Sequence, residues 1–202
     1  MCLCAGMSVR AQENKLPSDV IKVSGGLDFI TSKMYLPEKM YQRSRMKYYS
    51  WQPGVSALVE YKHFWQSGFG FGLNFVYNDT RYYQEGHDNE QVSLALRSVY
   101  VGPCFAYSRC FKNRWRFDGS VGMGYGYLAG DLADDNGFGI MEKTGMEYMI
   151  TRHLGVCVEL YEMVFLLKDD MMDDFRKQYP SESNVINGVF HLGFTAGLSF
   201  YF

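Results

Sequence analysis

The sequence predicts an all-β fold, an eight-stranded antiparallel up-and-down transmembrane β-barrel, and three observations predict it. The first is the stretch 185–202. Its alternate residues Ile186, Gly188, Phe190, Leu192, Phe194, Ala196, Leu198, Phe200 and Phe202 are apolar and mostly bulky. The interleaved set Asn187, Val189, His191, Gly193, Thr195, Gly197, Ser199 and Tyr201 is small or polar. Period two is the mark of a strand lying between two unlike media. This one is longer than the roughly 5–6 residues usual in globular proteins. The second observation is that similar stretches recur along the whole chain, joined by connections that alternate between long and short. The third is that aromatic residues fall in two bands, as interfacial girdles do: Trp65, Tyr107, Trp115 and Tyr201 near the short-turn end, and Tyr35, Tyr48, Tyr49, Trp51, Tyr77, Tyr82, Tyr83 and Tyr127 near the other.

The strands follow in order. Val20 to Met34 alternates Ile21, Val23, Leu27 and Phe29 with Lys22, Ser24, Gly26 and Asp28. A basic connection follows, carrying Lys39, Arg43, Arg45 and Lys47. The second strand runs from about Gln52 to Trp65, with Val55, Ala57, Val59 and Tyr61 outward and Ser56, Glu60 and Lys62 inward. After the turn Gln66-Ser67-Gly68, Phe69, Phe71, Leu73, Phe75 and Tyr77 oppose Gly70, Gly72, Asn74, Val76 and Asn78. A second long connection spans 79–91. The fourth strand, Val92 to Tyr107, changes phase near Arg97-Ser98. That predicts a β-bulge and an inward Arg97. Pro103 weakens one ladder position.

The fifth strand, Trp115 to Ala129, turns Trp115, Phe117, Val121, Met123, Tyr125 and Tyr127 outward and Arg116, Asp118, Ser120 and several glycines inward. A third polar connection covers 131–137. Phe138 to Met149 places Met146 and Tyr148 outward, with Lys143 and Glu147 inward. The seventh strand starts at Leu154 with Val156, Val158 and Leu160 outward and Cys157 and Glu159 inward; its phase blurs from Tyr161 to Leu167. The stretch 168–184 is the fourth long connection, and the last strand closes the chain. Both termini then lie at the short-turn end.

Composition agrees. Aromatics make up 17% and there are 21 glycines, a mixture suited to curved strands with rings at an interface. No run approaches the roughly 18 apolar residues of a membrane helix. A mean hydropathy of −0.22 excludes nothing, because alternation averages a barrel strand to near zero. The formal net charge of −2 gives no reason to expect nucleic acid. Residues 1–11 read as the end of a signal peptide, with Val9 and Ala11 as the small residues before a cleavage site. Residues 12–19 form an N-terminal periplasmic segment, and 20–202 form the barrel. Cys104, Cys110 and Cys157 then remain, an odd number without zinc-type spacing.

This whole-chain pattern, from Val20 to Phe202, resembles the OmpA/OmpX-type eight-stranded barrels of the bacterial outer membrane. The resemblance implies that location, a membrane of lipids and lipopolysaccharide around the wall, and a terminal aromatic strand that serves as an assembly signal. It also raises the possibility of lipid A hydrolysis. His191 is followed two residues on by Gly193, so the His-x-Ser pattern of a barrel deacylase is absent. His63 and His153 lie near turns, and His87 lies in a connection.

Glu60, Lys62, Arg97, Arg116, Asp118, Lys143, Glu147 and Glu159 are expected inside the barrel. Both signs occur among them, which favours a paired plug over an ion pathway. Lys39, Arg43, Arg45 and Lys47 are the expected contacts to lipopolysaccharide phosphates, since Arg and Lys pair well with phosphate. The acid groups at Asp131, Asp134 and Asp135 and at Asp169, Asp170, Asp173 and Asp174 do not match an EF-hand, so no metal or cofactor is expected. The function expected is a non-enzymatic outer-membrane barrel, a monomer whose surface-exposed connections serve envelope structure, adhesion or interaction with lipids, lipopolysaccharide, other proteins or host surfaces. The alternatives are a lipid A-modifying enzyme, a small channel, or a soluble lipocalin-like carrier. A lipocalin needs its large apolar residues inside, the reverse of this pattern.

Overall fold

In the computed structural model the chain is described over residues 18–31, 53–85, 91–111, 114–130, 134–167 and 188–202. The basic connection with Lys39, Arg43, Arg45 and Lys47 lies outside the described residues. So do residues 1–17, His87, Asp131, the acid group 169–174, Tyr35, Tyr48, Tyr49, Trp51 and the side chains of Tyr82, Tyr83, Asp134 and Asp135.

Eight antiparallel strands form a closed barrel in sequence order: β1 Asp19–Ile30, β2 Gly54–Phe64, β3 Phe69–Glu85, β4 Gln91–Phe111, β5 Trp115–Gly130, β6 Asp134–Met149, β7 Leu154–Leu167 and β8 Gly188–Tyr201. Closure pairs β1 with β8, from Val20 opposite Tyr201 to Ile30 opposite His191. A closed sheet has no edge and satisfies its backbone internally, which lipid requires of any spanning structure.

The register fixes the tilt. The ladder from Val20 runs through Lys62, Gly72, Cys104, Gly122, Met141, Met163 and His191, and returns to β1 at Ile30. It therefore comes back at position 30 after leaving position 20. That stagger inclines the strands by about 40°.

Facing follows the alternation. Leu73, Phe105 and Met123 are 56%, 69% and 60% exposed, in a wall of outward Val, Leu, Ile and Phe. So continuous an apolar exterior is a lipid-facing surface. The short-turn end carries outward Trp65, Phe69, Phe111, Trp115 and Phe202, and the far end Tyr127 and Phe138. Tyr201, which the sequence groups with the near-end aromatics, points inward and is buried.

The short turns are locally determined. In the β2–β3 turn Gly68 has φ +87°, a backbone conformation that glycine adopts without strain. Its N–H bonds to Trp65 O at 3.0 Å. In the β6–β7 turn Thr151 Oγ1 accepts the N–H groups of His153 and Leu154, each at 3.1 Å.

Three expectations are corrected. There is no bulge in β4: its pairing with β3 is unbroken past Asp79 opposite Arg97 and Asn78 opposite Ser98. Leu96, Ser98 and Tyr100 therefore face inward, and Arg97 faces outward, 3.7 Å from Asp79. An apolar residue inside and a charged one outside imitate a phase change. The second and third connections are also shorter than expected. β3 and β4 pair as far as Glu85 opposite Gln91, and β5 and β6 as far as Ala129 opposite Asp134. Beyond the apolar band both sheet faces can be polar, so a hairpin there lacks the contrast that marks a strand.

Candidate functional site: the barrel lumen

An eight-stranded interior is just wide enough for side chains to fill, and here they do so in layers. At the short-turn end Val20, Phe64, Ala106, Met149 and Tyr201 form an apolar base. Above it lies an ionic layer. Lys62 donates to Asp118 Oδ1 at 2.9 Å and lies 3.6 Å from Glu60. Lys143 bonds to Glu60 and, at 2.6 Å, to Glu159. Lys22 reaches Glu159 at 3.3 Å, Asp118 at 3.5 Å and Glu147 at 3.7 Å. Ser24 donates to Glu159 at 3.3 Å, and Tyr201 donates to Glu147. Every one of these charged groups is buried. With Arg116, the layer sets Lys22, Lys62, Lys143 and Arg116 against Glu60, Asp118, Glu147 and Glu159. Such balance is what buried charge requires.

Glu60, Lys62, Asp118, Lys143, Glu147 and Glu159 thus meet at one level of the lumen. Arg116 faces inward too, but it is held differently. Its guanidinium carbon sits 4.9 Å from the Phe64 ring centre and 4.8 Å from that of Tyr201. Its Nε donates to Ser108 Oγ, which in turn donates to Phe117 O at 3.1 Å. Arg97 lies outside the network altogether. Lys22, at the centre of the network, is missing from the expected set, although its position opposite Ile21 and Val23 already places it on the inward face.

Further along the barrel the lumen changes character. Leu58, Val76, Met141, Met163, Tyr100 and Phe165 are packed together. Among them lies a second polar group centred on Asp28, which is fully buried. Asp28 Oδ2 lies 2.7 Å from His191 Nδ1 and 3.0 Å from Thr80 Oγ1, and Oδ1 lies 2.9 Å from Tyr161 OH. Four strands converge on this carboxylate. The short contact makes His191 Nδ1 a donor, so Asn78 Nδ2 at 3.4 Å from the same nitrogen makes only a packing contact. His191 Nε2, the nitrogen a hydrolytic base would turn to its nucleophile, has no hydrogen-bond partner among the described residues. The ring instead packs edge-on against Phe165, with centroids 5.5 Å apart.

Half-way along β6 and β7 the apolar exterior gives way to polar side chains, Thr144 and two carboxylates. Glu142 of β6 and Glu162 of β7 face outward and stand directly opposite each other. They border a groove of about 600 Å³ whose lining includes Phe69, Phe105, Tyr107, Val121 and Leu160. The blurred phase of β7 in the sequence comes from Glu162. Tyr161, Met163 and Phe165 continue the inward set without a break.

Comparison with known proteins agrees with this architecture. No match is found among curated proteins. Neisserial surface protein A shares the fold with a TM-score of 0.62 at 11% identity, over 92% of this chain and 97% of that one. The outer membrane protein OprG from Pseudomonas aeruginosa gives 0.57 at 12% identity, over 92% and 96%. The sequence matches the family described as outer membrane protein beta-barrel domain over residues 1–199. With an apolar outer wall, a closed ladder and a match over nearly its whole length, the chain belongs to the outer membrane protein β-barrel domain family and is a protein of the bacterial outer membrane.

Proposed function

We propose that this protein is a non-enzymatic, monomeric barrel that anchors surface-exposed connections in the outer membrane. The observation that carries the proposal is the filled lumen. Lysines and carboxylates cross-link β1, β2, β5, β6 and β7 at one level, and Asp28 ties four strands at another. A lumen packed in this way supports a rigid post better than a pore. The reading as a lipid A-modifying enzyme has less support, because no hydroxyl among the described residues is placed on His191 Nε2.

The connection carrying Lys39, Arg43, Arg45 and Lys47 is the proposed contact to lipopolysaccharide phosphates. Two measurements test the function. Reconstituted in a planar bilayer, the protein should show no stable conductance. Its binding to lipopolysaccharide micelles should weaken at least tenfold when these four residues are changed to glutamine. A steady ion-selective current would overturn the post in favour of a small channel. Unchanged micelle binding would remove the basic connection from the contact.

A further inference from the structure

The glutamate pair on the wall has no place in a simple lipid-facing surface. Glu142 and Glu162 lie roughly half-way along β6 and β7. Their other ladder neighbours are Val121 and Leu192, and Ile140 and Leu160 flank them on the same face. Both side chains are exposed, and neither has a hydrogen-bond or ion-pair partner among the described residues. Like charges directly opposite across a ladder repel. Charge on the lipid face of a barrel is also most costly near mid-membrane. The groove beside them begins near the short-turn end, at Phe69 and Tyr107, and leads up the wall to the two carboxylates.

We infer that this groove docks a neighbouring membrane protein that brings a lysine or arginine side chain to Glu142 and Glu162. Charge complementarity selects the occupant. A lipid headgroup keeps its charge at the interface, well away from this depth. A calcium ion needs about 6–8 oxygen ligands, more than two carboxylates supply in a lipid-facing groove. A second copy of the chain brings no suitable cation: the outward cations of the described residues, Arg81, Arg97, Arg109, Arg114 and Arg152, all lie towards the strand ends or in a turn. A partner's long cationic side chain can lay its aliphatic stem along the apolar groove and place its charge between the carboxylates.

The test uses the purified protein, fluorescently labelled and reconstituted in phosphatidylcholine vesicles. The probe is a synthetic membrane-spanning leucine helix with one central lysine, compared with the same helix carrying leucine there. Energy transfer should show the lysine helix associating at least tenfold more tightly than the leucine helix. Glu142→Gln with Glu162→Gln should erase that preference, and Glu162→Gln alone should reduce it. The glutamines remove lipid-exposed charge, so the barrel should still form; a mobility shift between unheated and boiled samples on a gel checks this. Equal association of the two helices, or a preference that survives in the double variant, overturns the inference.

Discussion

Asp28 of β1 and His191 of β8 join the first and last strands across the barrel seam, with Nδ1 2.7 Å from Oδ2. Both lie near the far end of that seam, where Thr31 N–H to Phe190 O at 2.8 Å continues the ladder past Ile30. Thr80 and Tyr161 bring β3 and β7 to the same carboxylate. Closure of the barrel at this end therefore rests on side chains as well as on backbone pairing.

Asp28→Asn keeps the shape but gives up a charged acceptor for three donors. It should lower stability by about 2–3 kcal/mol, as loss of hydrogen bonds to a charged group does. Thr80→Val removes one of the donors and should cost about 1 kcal/mol. The two changes should be non-additive, because they act on one network. Urea unfolding in lipid vesicles measures all three variants. Additive effects would show that the hydroxyl and the carboxylate act independently.

The ionic layer makes a ranked prediction. Lys143 bridges Glu60 and Glu159, so Lys143→Ala leaves two buried carboxylates short of a cation. That should cost about 3–5 kcal/mol. Arg116 is held by two rings and a hydroxyl, so Arg116→Ala should cost less, about 2 kcal/mol from cation–π and packing losses. The same unfolding measurement decides the order. A larger loss at Arg116 would mean that its share of the layer's charge balance outweighs the direct ion pairs of Lys143.

Most of the fold was legible because the medium imposes it. Lipid outside and a narrow lumen inside keep apolar and polar residues alternating, as at Leu73 and Asn74 on β3. Legibility fails where that contrast fails. Leu96 lies inside and Arg97 outside near the far end, and the ends of the β3–β4 and β5–β6 hairpins read as polar connections. Glu162 breaks the pattern inside the apolar band itself. The ionic layer was largely readable from parity, since inward charges of both signs imply pairs. Parity shows facing but not partners, so neither the ring-held Arg116 nor the meeting of Asp28 with His191 could be read from it.

Space inside the lumen gives a third prediction. A Cβ added at Gly193 would fall 2.0 Å from the Tyr161 ring, which bonds to Asp28. Gly193→Ala should push that ring off its partners and cost about 1–3 kcal/mol, as overpacking does. A compensating Tyr161→Phe should recover little, because Phe keeps the ring and loses the hydroxyl. Full recovery would show that the hydroxyl, and not the ring, carries the strain.

The outer wall supplies the last prediction, and it does not depend on any partner. Glu142 and Glu162 face each other outside the barrel, within the apolar band. In vesicles of pure lipid no partner side chain is present to pair with them. Their mutual repulsion costs a few tenths of a kcal/mol up to about 1 kcal/mol, and exposure to lipid adds to that. Replacing both by leucine should therefore raise the stability of the isolated protein by about 1–2 kcal/mol. Replacing the outward apolar neighbours Val121 and Leu160 by glutamate should do the reverse. Urea unfolding in phosphatidylcholine vesicles distinguishes the outcomes. If the double leucine variant were less stable than the parent, the two carboxylates would have to make a stabilising contact in lipid, and their assignment to an unpaired, membrane-facing position would fail.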